Sequence, residues 1–266
     1  KLTKRHTDTP HFAVIGYGKL GGKELGYGSD LDIVYLYDDP DQDAAQTYMR
    51  LGQRITTWLS SQTSSGIVYE IDTRLRPNGE SGMLAISLDG FRDYEEKSAW
   101  VWEHQALTRA RFVAGDNALG ERFEQVRREI LCKERNIDTL RQEVVAMRQK
   151  MFDAHGATQP GLFDIKQDPG GIIDVEFIVQ FLILAHAHRY PDLTDNLGNI
   201  ALLHRVAEHG LIDATLSHSV QTAYREYRRL QHANRLNDDP KARLTVTPEL
   251  QAHIDAVLAL KQQVFG

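Results

Sequence analysis

The sequence predicts a small mixed α/β sheet with flanking helices, followed by an all-α helical bundle. Three observations lead there. Short apolar runs rich in β-branched and aromatic residues are confined to the chain before Leu88. From about Asn117 onward, apolar residues recur at helical spacing and little looks like strand. Interruptions at 156–161 and 164–171, rich in glycine and proline, punctuate that second part.

Taken in order, Phe12-Ala-Val-Ile15 reads as a buried strand ending at Gly16. A glycine-rich stretch runs from there to Asp30, and Leu31-Asp-Ile-Val-Tyr-Leu-Tyr37 reads as a second strand. Asp38-Asp39-Pro40 stops it, since proline cannot donate to a ladder. Asp43 caps an expected helix reaching about Gln62, with Tyr48, Leu51, Ile55, Trp58 and Leu59 at helical spacing. Ile67 to Leu75 is a third expected strand, Pro77 to Gly82 a loop, and Met83 to Ile86 a fourth strand. Beyond Leu88 the pattern is helical, with later helices expected near 117–135, 138–155, 172–189, 198–209, 213–237 and 248–265. The boundary falls near Gly115, giving domains 1–115 and 116–266.

Composition narrows the function. The 266 residues are 41% hydrophobic, enough for a sizeable core. The net charge of −6 disfavours nucleic acid as the main partner, because a phosphate backbone rewards an excess of cations. With Cys132 as the one cysteine, an internal disulfide and a cysteine-built zinc site are excluded; a half-buried helix residue is expected there. No apolar run nears the ~18 residues a membrane span needs. Lys1 opens the chain with no signal-peptide pattern, so a cytoplasmic piece of a longer chain is expected. His186 and His188 are two apart and cannot share a helix face, which argues against histidine-bound zinc.

Gly16-Tyr-Gly-Lys-Leu-Gly21 is a literal G-x-G-x-x-G after a strand, with Asp38 and Asp39 downstream, as in a dinucleotide-binding βαβ unit. The spacing argues against it. A crossover helix would have to fit before Ser29 through Gly21, Gly22, Gly26 and Gly28, each costing about 1 kcal/mol relative to alanine.

A second reading starts from Asp30 and Asp32, which a strand presents on one face. Two adjacent carboxylates are costly unless a hard cation compensates them. The glycine-rich turn offers backbone N–H groups to phosphate oxygens. Asp72, on another expected strand, adds a third carboxylate beside Arg74, although Glu70 shares its face and spacing does not choose between them. Carboxylates, glycine N–H groups and arginines together describe metal-assisted phosphoryl or nucleotidyl transfer. The competing reading leaves Asp30 and Asp32 at an exposed strand end and pairs Asp72 with Arg74 or Arg76.

The strand, glycine turn and Gly28-Ser-Asp-Leu-Asp32 resemble the polymerase-β-like nucleotidyltransferase superfamily. With Gly16-Tyr-Gly-Lys-Leu-Gly-Gly-Lys-Glu-Leu25, Arg74-Leu-Arg-Pro-Asn-Gly-Glu-Ser-Gly82, Trp102-Glu-His-Gln-Ala-Leu-Thr-Arg-Ala-Arg111 and Gly170-Gly-Ile-Ile-Asp-Val-Glu-Phe-Ile-Val-Gln180, the chain resembles the bifunctional glutamine synthetase adenylyltransferase/adenylyl-removing enzymes from Phe12 into its final helices. Gly28, Ser29 and Asn78 resemble the adenylylating C-terminal half; the removing half tends towards Ser-Ser-Asp-Ile-Asp and a phenylalanine after Arg-Leu-Arg-Pro. The superfamily's usual Gly-Ser or Gly-Gly pair is replaced here by Gly16-Tyr-Gly18-Lys19.

This resemblance implies a nucleotidyltransferase head that moves AMP from ATP to a tyrosine hydroxyl of glutamine synthetase, releasing pyrophosphate. It implies Mg²⁺ on Asp30, Asp32 and Asp72, with Asp72 serving the nucleophile. Gly16, Gly18, Lys19, Ser29 and Arg74 would then bind the nucleotide. The PII signal protein, glutamine and the other half of a full-length enzyme are implied partners. The adenylyl-removing half, or a nucleotide- or glutamine-sensing module, is the alternative.

Other residues have plainer readings. Lys19 is a phosphate ligand or a solvated helix-start lysine. Arg109 and Arg111, two apart on an expected helix, cannot both reach one site. Asp174 and Glu176 diverge in the same way, and Lys166 with Asp168 suggests a loop salt bridge. Phe177, Phe181 and Leu184 read as bundle core, and Arg225 to Arg229 as a solvated helix face.

Overall fold

The computed structural model describes residues 7–26, 29–64, 66, 69–155, 159–237 and 243–266. Gly28 of the aspartate motif, Ile67 and Val68 of the expected third strand, and Gly156 of the first interruption lie outside the described residues. The chain forms two compact units, Lys1–Ile130 and Leu131–Gly266. The division therefore comes after Ile130 rather than near Gly115. Phe123 of the intervening helix is buried and packs on Phe91, with ring centroids 5.8 Å apart, which ties that helix to the first unit.

The first unit runs β1 (Phe12–Gly16), α1 (Gly18–Gly21), β2 (Leu31–Tyr37), α2 (Ala44–Leu59), β3 (Ile71–Asp72), β4 (Ala85–Ser87), α3 (Leu88–Lys97), α4 (Val101–Leu107), β5 (Arg111–Gly115) and α5 (Asn117–Leu131). The sheet order is β3-β2-β1-β5. β1 pairs antiparallel with β2, Gly16 opposite Ile33, and α1 is a single turn. A βαβ unit needs parallel strands and a full crossover helix, so this topology removes the dinucleotide reading. β3 and β4 lie parallel to β2 along one edge, β3 beside Leu31 and Asp32, β4 beside Tyr35 to Tyr37.

The core against α2 is aromatic. Tyr48 stacks on Phe12 and Tyr37 with centroids 5.8 and 5.0 Å apart. The buried Tyr48 hydroxyl still donates to Asp39 Oδ2 at 2.9 Å, as a phenol taken from water should. Gly52 lets α2 approach the sheet, since a Cβ there would sit 2.8 Å from Tyr35 Cδ2. Trp58, expected on that face, is 77% exposed. Asp43 occupies the N-cap without a side-chain cap hydrogen bond; its own N–H donates to Asp41 Oδ1.

Two further expectations change. Of its described residues the third strand keeps only Ile71 and Asp72, because the chain turns at Thr73, where Arg76 Nη1 binds the carbonyl at 2.7 Å. Helix α4 stops at Leu107, and β5 follows as a strand on the far side of β1 that the helical reading missed. Cys132 lies just past the end of α5 and is partly exposed.

The second unit contains α6 (Ile137–His155), β6 (Leu162–Phe163), α7 (Ile172–His186), α8 (Asn199–Glu208), α9 (Ala214–Leu236), β7 (Leu244–Thr245) and α10 (Pro248–Phe265). α7 is apolar on every side and forms the centre, with Phe177, Phe181 and Leu184 all buried. Asp213 caps α9, its carboxylate accepting from Leu216 N–H at 2.7 Å, and Thr247 caps α10 before Pro248. β6 and β7 form a two-residue antiparallel ladder between the expected helices of a unit expected to be all-α. Within the 225–229 run, Tyr227 is buried and its hydroxyl donates to Gly170 O at 3.0 Å, so that stretch is not a purely solvated face. Among the described residues no helix is long and apolar enough to cross a membrane.

Candidate active site

The site begins at the β1–α1 turn. Tyr17 N–H donates to Asp32 O at 2.8 Å, which fixes the turn against β2. Gly18 takes a left-handed φ of +51°, and a Cβ there would lie 2.1 Å from Asp32 Oδ2. Glycine suits both demands, because the αL conformation disfavours a side chain and the close carboxylate leaves no room for a Cβ. Gly16 serves packing instead: a Cβ would meet Val113 Cγ2 at 2.7 Å and Leu20 Cγ at 2.9 Å.

Two arginines hold the other side of the turn. Arg109 Nε donates to Gly18 O at 3.1 Å and its Nη2 pairs with Glu24 at 2.8 Å. Arg111 donates to Gly21 O at 3.1 Å and Leu20 O at 3.2 Å. The expected helix would have forced them apart. Because α4 ends before Arg109, both reach the same turn.

Asp32 and Asp72 are register partners in the parallel β2–β3 ladder. Burial pushes the Asp32 carboxyl up to about 6, with the Asp72 and Asp30 charges adding to the rise and Lys19 and Arg74 opposing it. Asp30 sits just before β2 and is exposed. Asp72 is held below the usual carboxylate range, chiefly by Arg74, whose backbone N–H and Nε donate to it at 2.8–3.1 Å. The expected alternative pairing of Asp72 with Arg74 is thus present. Arg76 instead spans the loop to Thr73 O and Glu80 O. Arg74 is 69% exposed, so it can swing away without disturbing packing. Glu70 is exposed and precedes the ladder; its carbonyl accepts Leu31 N–H at 2.8 Å.

Ser29 is buried, and its Oγ accepts Gly26 N–H at 3.1 Å, leaving the hydroxyl proton to donate elsewhere. Among the described residues no three His, Cys, Asp or Glu side chains form a ready metal cage. The donor set nonetheless suits Mg²⁺, which commonly takes one or two protein carboxylates and completes its shell with water and substrate phosphates. Asp32, carrying negative neighbours that Lys19 and Arg74 only partly offset, is where such a cation would relieve repulsion.

Beneath the turn lies a group of residues that spacing did not reveal. Tyr17 is buried and its hydroxyl has no hydrogen-bond partner among the described residues; the same holds for Oε2 of buried Glu95 on α3, to which His104 Nε2 comes no nearer than 3.6 Å. Burial, then the Glu103 charge, pushes the Glu95 carboxyl up to about 8. Glu103 is satisfied by Tyr94 Oη–H at 2.7 Å and Trp100 N–H at 2.8 Å. A buried carboxylate on a helix gives no periodicity signal when its partners come from other elements.

In the second unit, Asp174 is buried and paired with Arg148 and Lys261, whereas Glu176 accepts from Tyr224 Oη–H at 3.4 Å. Asp168 pairs with Arg243 at 3.2 Å rather than with Lys166.

Residues 1–126 match the family model "Glutamate-ammonia ligase adenylyltransferase", and residues 135–263 match "GlnD PII-uridylyltransferase". The whole chain is 58% identical to a bifunctional glutamine synthetase adenylyltransferase/adenylyl-removing enzyme of Aromatoleum aromaticum, covering 28% of that protein. It is 57% identical to the enzyme of the same name in Nitrosomonas eutropha, covering 30%, and 54% identical to that in Neisseria meningitidis serogroup B, covering 29%. The chain therefore spans under a third of the length of the curated relatives it matches.

Proposed function

We propose, from its similarity along the whole chain to one stretch of these bifunctional enzymes, that this chain is a nucleotidyltransferase carrying the adenylylating activity. It transfers AMP from ATP to a tyrosine hydroxyl of glutamine synthetase and releases pyrophosphate, a step in the control of nitrogen metabolism. The unit up to Ile130 acts as the polymerase-β-like catalytic domain and the unit from Leu131 onward as its helical companion. The observation that carries the reading is the close approach of Gly18 to the Asp32 carboxylate, with Asp72 directly across the ladder.

Each residue then has a task. Asp30 and Asp32 would hold the Mg²⁺ that accompanies ATP, which neutralises charge at the phosphates. Gly18 N–H, Lys19 and the Ser29 hydroxyl face the triphosphate, and Gly16 keeps the turn close to β5. Arg74 leaves Asp72 and takes a phosphate, which frees Asp72 to accept the tyrosine proton; an ordinary phenol, with a pKa of about 10, keeps that proton at neutral pH. The PII signal protein and glutamine act as effectors, and the remainder of the full-length enzyme is a further partner.

The adenylylating direction rests on Gly28 and Asn78, where the removing half tends towards serine and phenylalanine. Asn78 has a φ of +61°, a conformation asparagine tolerates better than the phenylalanine of the removing half. The test is intact-mass analysis of unmodified glutamine synthetase incubated with the chain, Mg²⁺ and ATP, which should gain one AMP per subunit. In the reverse assay, adenylylated glutamine synthetase with inorganic phosphate should release little ADP. Efficient phosphorolysis with no AMP attachment would assign the removing activity instead.

A further inference from the structure

Behind the glycine turn, Glu24 and the pair Gly21-Gly22 meet Arg109, which comes from the distant stretch Trp102 to Arg111. The Arg109 side chain is 11% exposed and that of Glu24 15%. Arg109 Nε donates to Gly18 O at 3.1 Å and its Nη2 to Glu24 Oε2 at 2.8 Å. Glu24 N–H in turn donates to Lys19 O at 2.9 Å. The carbonyls of Gly18 and Lys19 are thus both tied, one to each member of a single ion pair.

The two glycines make room for that pair. A Cβ at Gly22 would lie 2.8 Å from Arg109 Cζ, and a Cβ at Gly21 would overlap the Arg109 carbonyl. Gly22 has an ordinary φ of −74°, so the close guanidinium rather than the backbone conformation calls for glycine there. A pair this enclosed adds little net stability, because desolvation offsets its attraction. What it supplies is direction. A peptide unit is planar and trans, so holding the Gly18 carbonyl also fixes the Lys19 N–H on the opposite side. The planar guanidinium can grip a carbonyl and a carboxylate at once, which a lysine ammonium on a flexible stem does not reproduce.

We propose that Arg109 and Glu24 are positioning residues for the phosphate chain of the nucleotide: together they set the Gly18–Lys19 peptide, and with it the N–H edge that the turn presents to the phosphates. Both act through the backbone of the turn and neither touches the nucleotide. This rests on the nucleotidyl-transfer reading of the same turn.

The test uses the full chain, titrated calorimetrically with MgATP and with magnesium pyrophosphate, alongside melting curves followed by circular dichroism. Arg109→Lys keeps the charge but loses the fork, and should weaken both ligands by about tenfold, the worth of one charged hydrogen bond. KM for ATP should rise with it while kcat at saturating ATP changes little. Glu24→Gln should weaken both ligands too, and the double variant should bind no worse than Arg109→Lys alone, because the pair acts as a unit. A lowered melting temperature with both affinities unchanged would make the pair structural only and overturn the proposal. So would weaker ATP binding with pyrophosphate binding unchanged, or additive effects in the double variant. If Arg109→Lys does not fold, Glu24→Gln decides by the same two affinities. A parent chain that binds no MgATP would instead overturn the nucleotidyl-transfer reading, and this inference with it.

Discussion

Asp32 and Asp72 face each other across a two-residue parallel ladder, yet their surroundings drive their acidities in opposite directions. Arg74 binds Asp72 in a fork, while Asp32 is more enclosed and receives the repulsion of both neighbouring aspartates. One carboxylate is compensated within the protein. The other is left for a cation.

Asp32→Asn should therefore abolish AMP transfer and at the same time stabilise the metal-free chain. The folded-state pKa is raised from 3.8 to about 6, so the penalty appears as pH rises through that window and is complete above it. After allowance for partial exposure, a gain of about 1–2 kcal/mol is expected at pH 7.5, vanishing below about pH 4. Urea unfolding at both pH values with chelator present measures it, and a destabilised Asp32→Asn at pH 7.5 would contradict the account.

Asp72→Asn should lose catalysis but keep most Mg²⁺-dependent ATP binding, because Asp30, Asp32 and the glycine turn are untouched. Its rate should recover in part at high pH, where tyrosine loses its proton without a base. Calorimetry with a pH–rate profile separates the roles. Collapse of ATP binding would make Asp72 chiefly a nucleotide-metal ligand, and unchanged binding and rate would favour Glu70.

Gly18→Ala should cost about 1–2 kcal/mol from the αL conformation alone, and more from the encounter with Asp32. ATP affinity should fall with it. Gly210→Ala is the control: φ is +70° but nothing lies within 4 Å, so it should lose about 1 kcal/mol and leave ATP affinity intact. Equal effects on ATP binding would remove the turn from the site.

Glu95→Gln should stabilise the first unit, increasingly so as pH rises. A carboxyl raised from 4.5 to about 8 binds its proton more tightly when folded, so folding loses stability between those values. The parent's melting temperature should decline from pH 5 to pH 8 and the variant's should decline less, the gap reaching a few kcal/mol in unfolding free energy near pH 8. A variant less stable than the parent at pH 8 would show that Glu95 is ionised and paired.

Much of the fold was legible. Phe12–Gly16 and Leu31–Tyr37 announced themselves through β-branched and aromatic residues, and α6 to α10 through apolar residues at helical spacing. β5 was not, because Arg111 to Gly115 follows a helical run and becomes a strand only by pairing with β1. Trp58 fitted its helix face by spacing, yet it is 77% exposed.

For the site, sequence alone determined which residue types were available: a glycine turn, Asp30 and Asp32 two apart before and within a strand, and Asp72 beside Arg74. Those are local facts, set by chain spacing and strand parity. Tertiary structure alone decided that Asp72 lies opposite Asp32, that Gly18 touches the Asp32 carboxylate, and that Arg109 and Arg111 converge on the turn. It also decided that Tyr17 and Glu95 are buried beneath it. These depend on ladder register, helix termination and desolvation, which arise between segments distant in the chain and leave no periodic trace within any one of them.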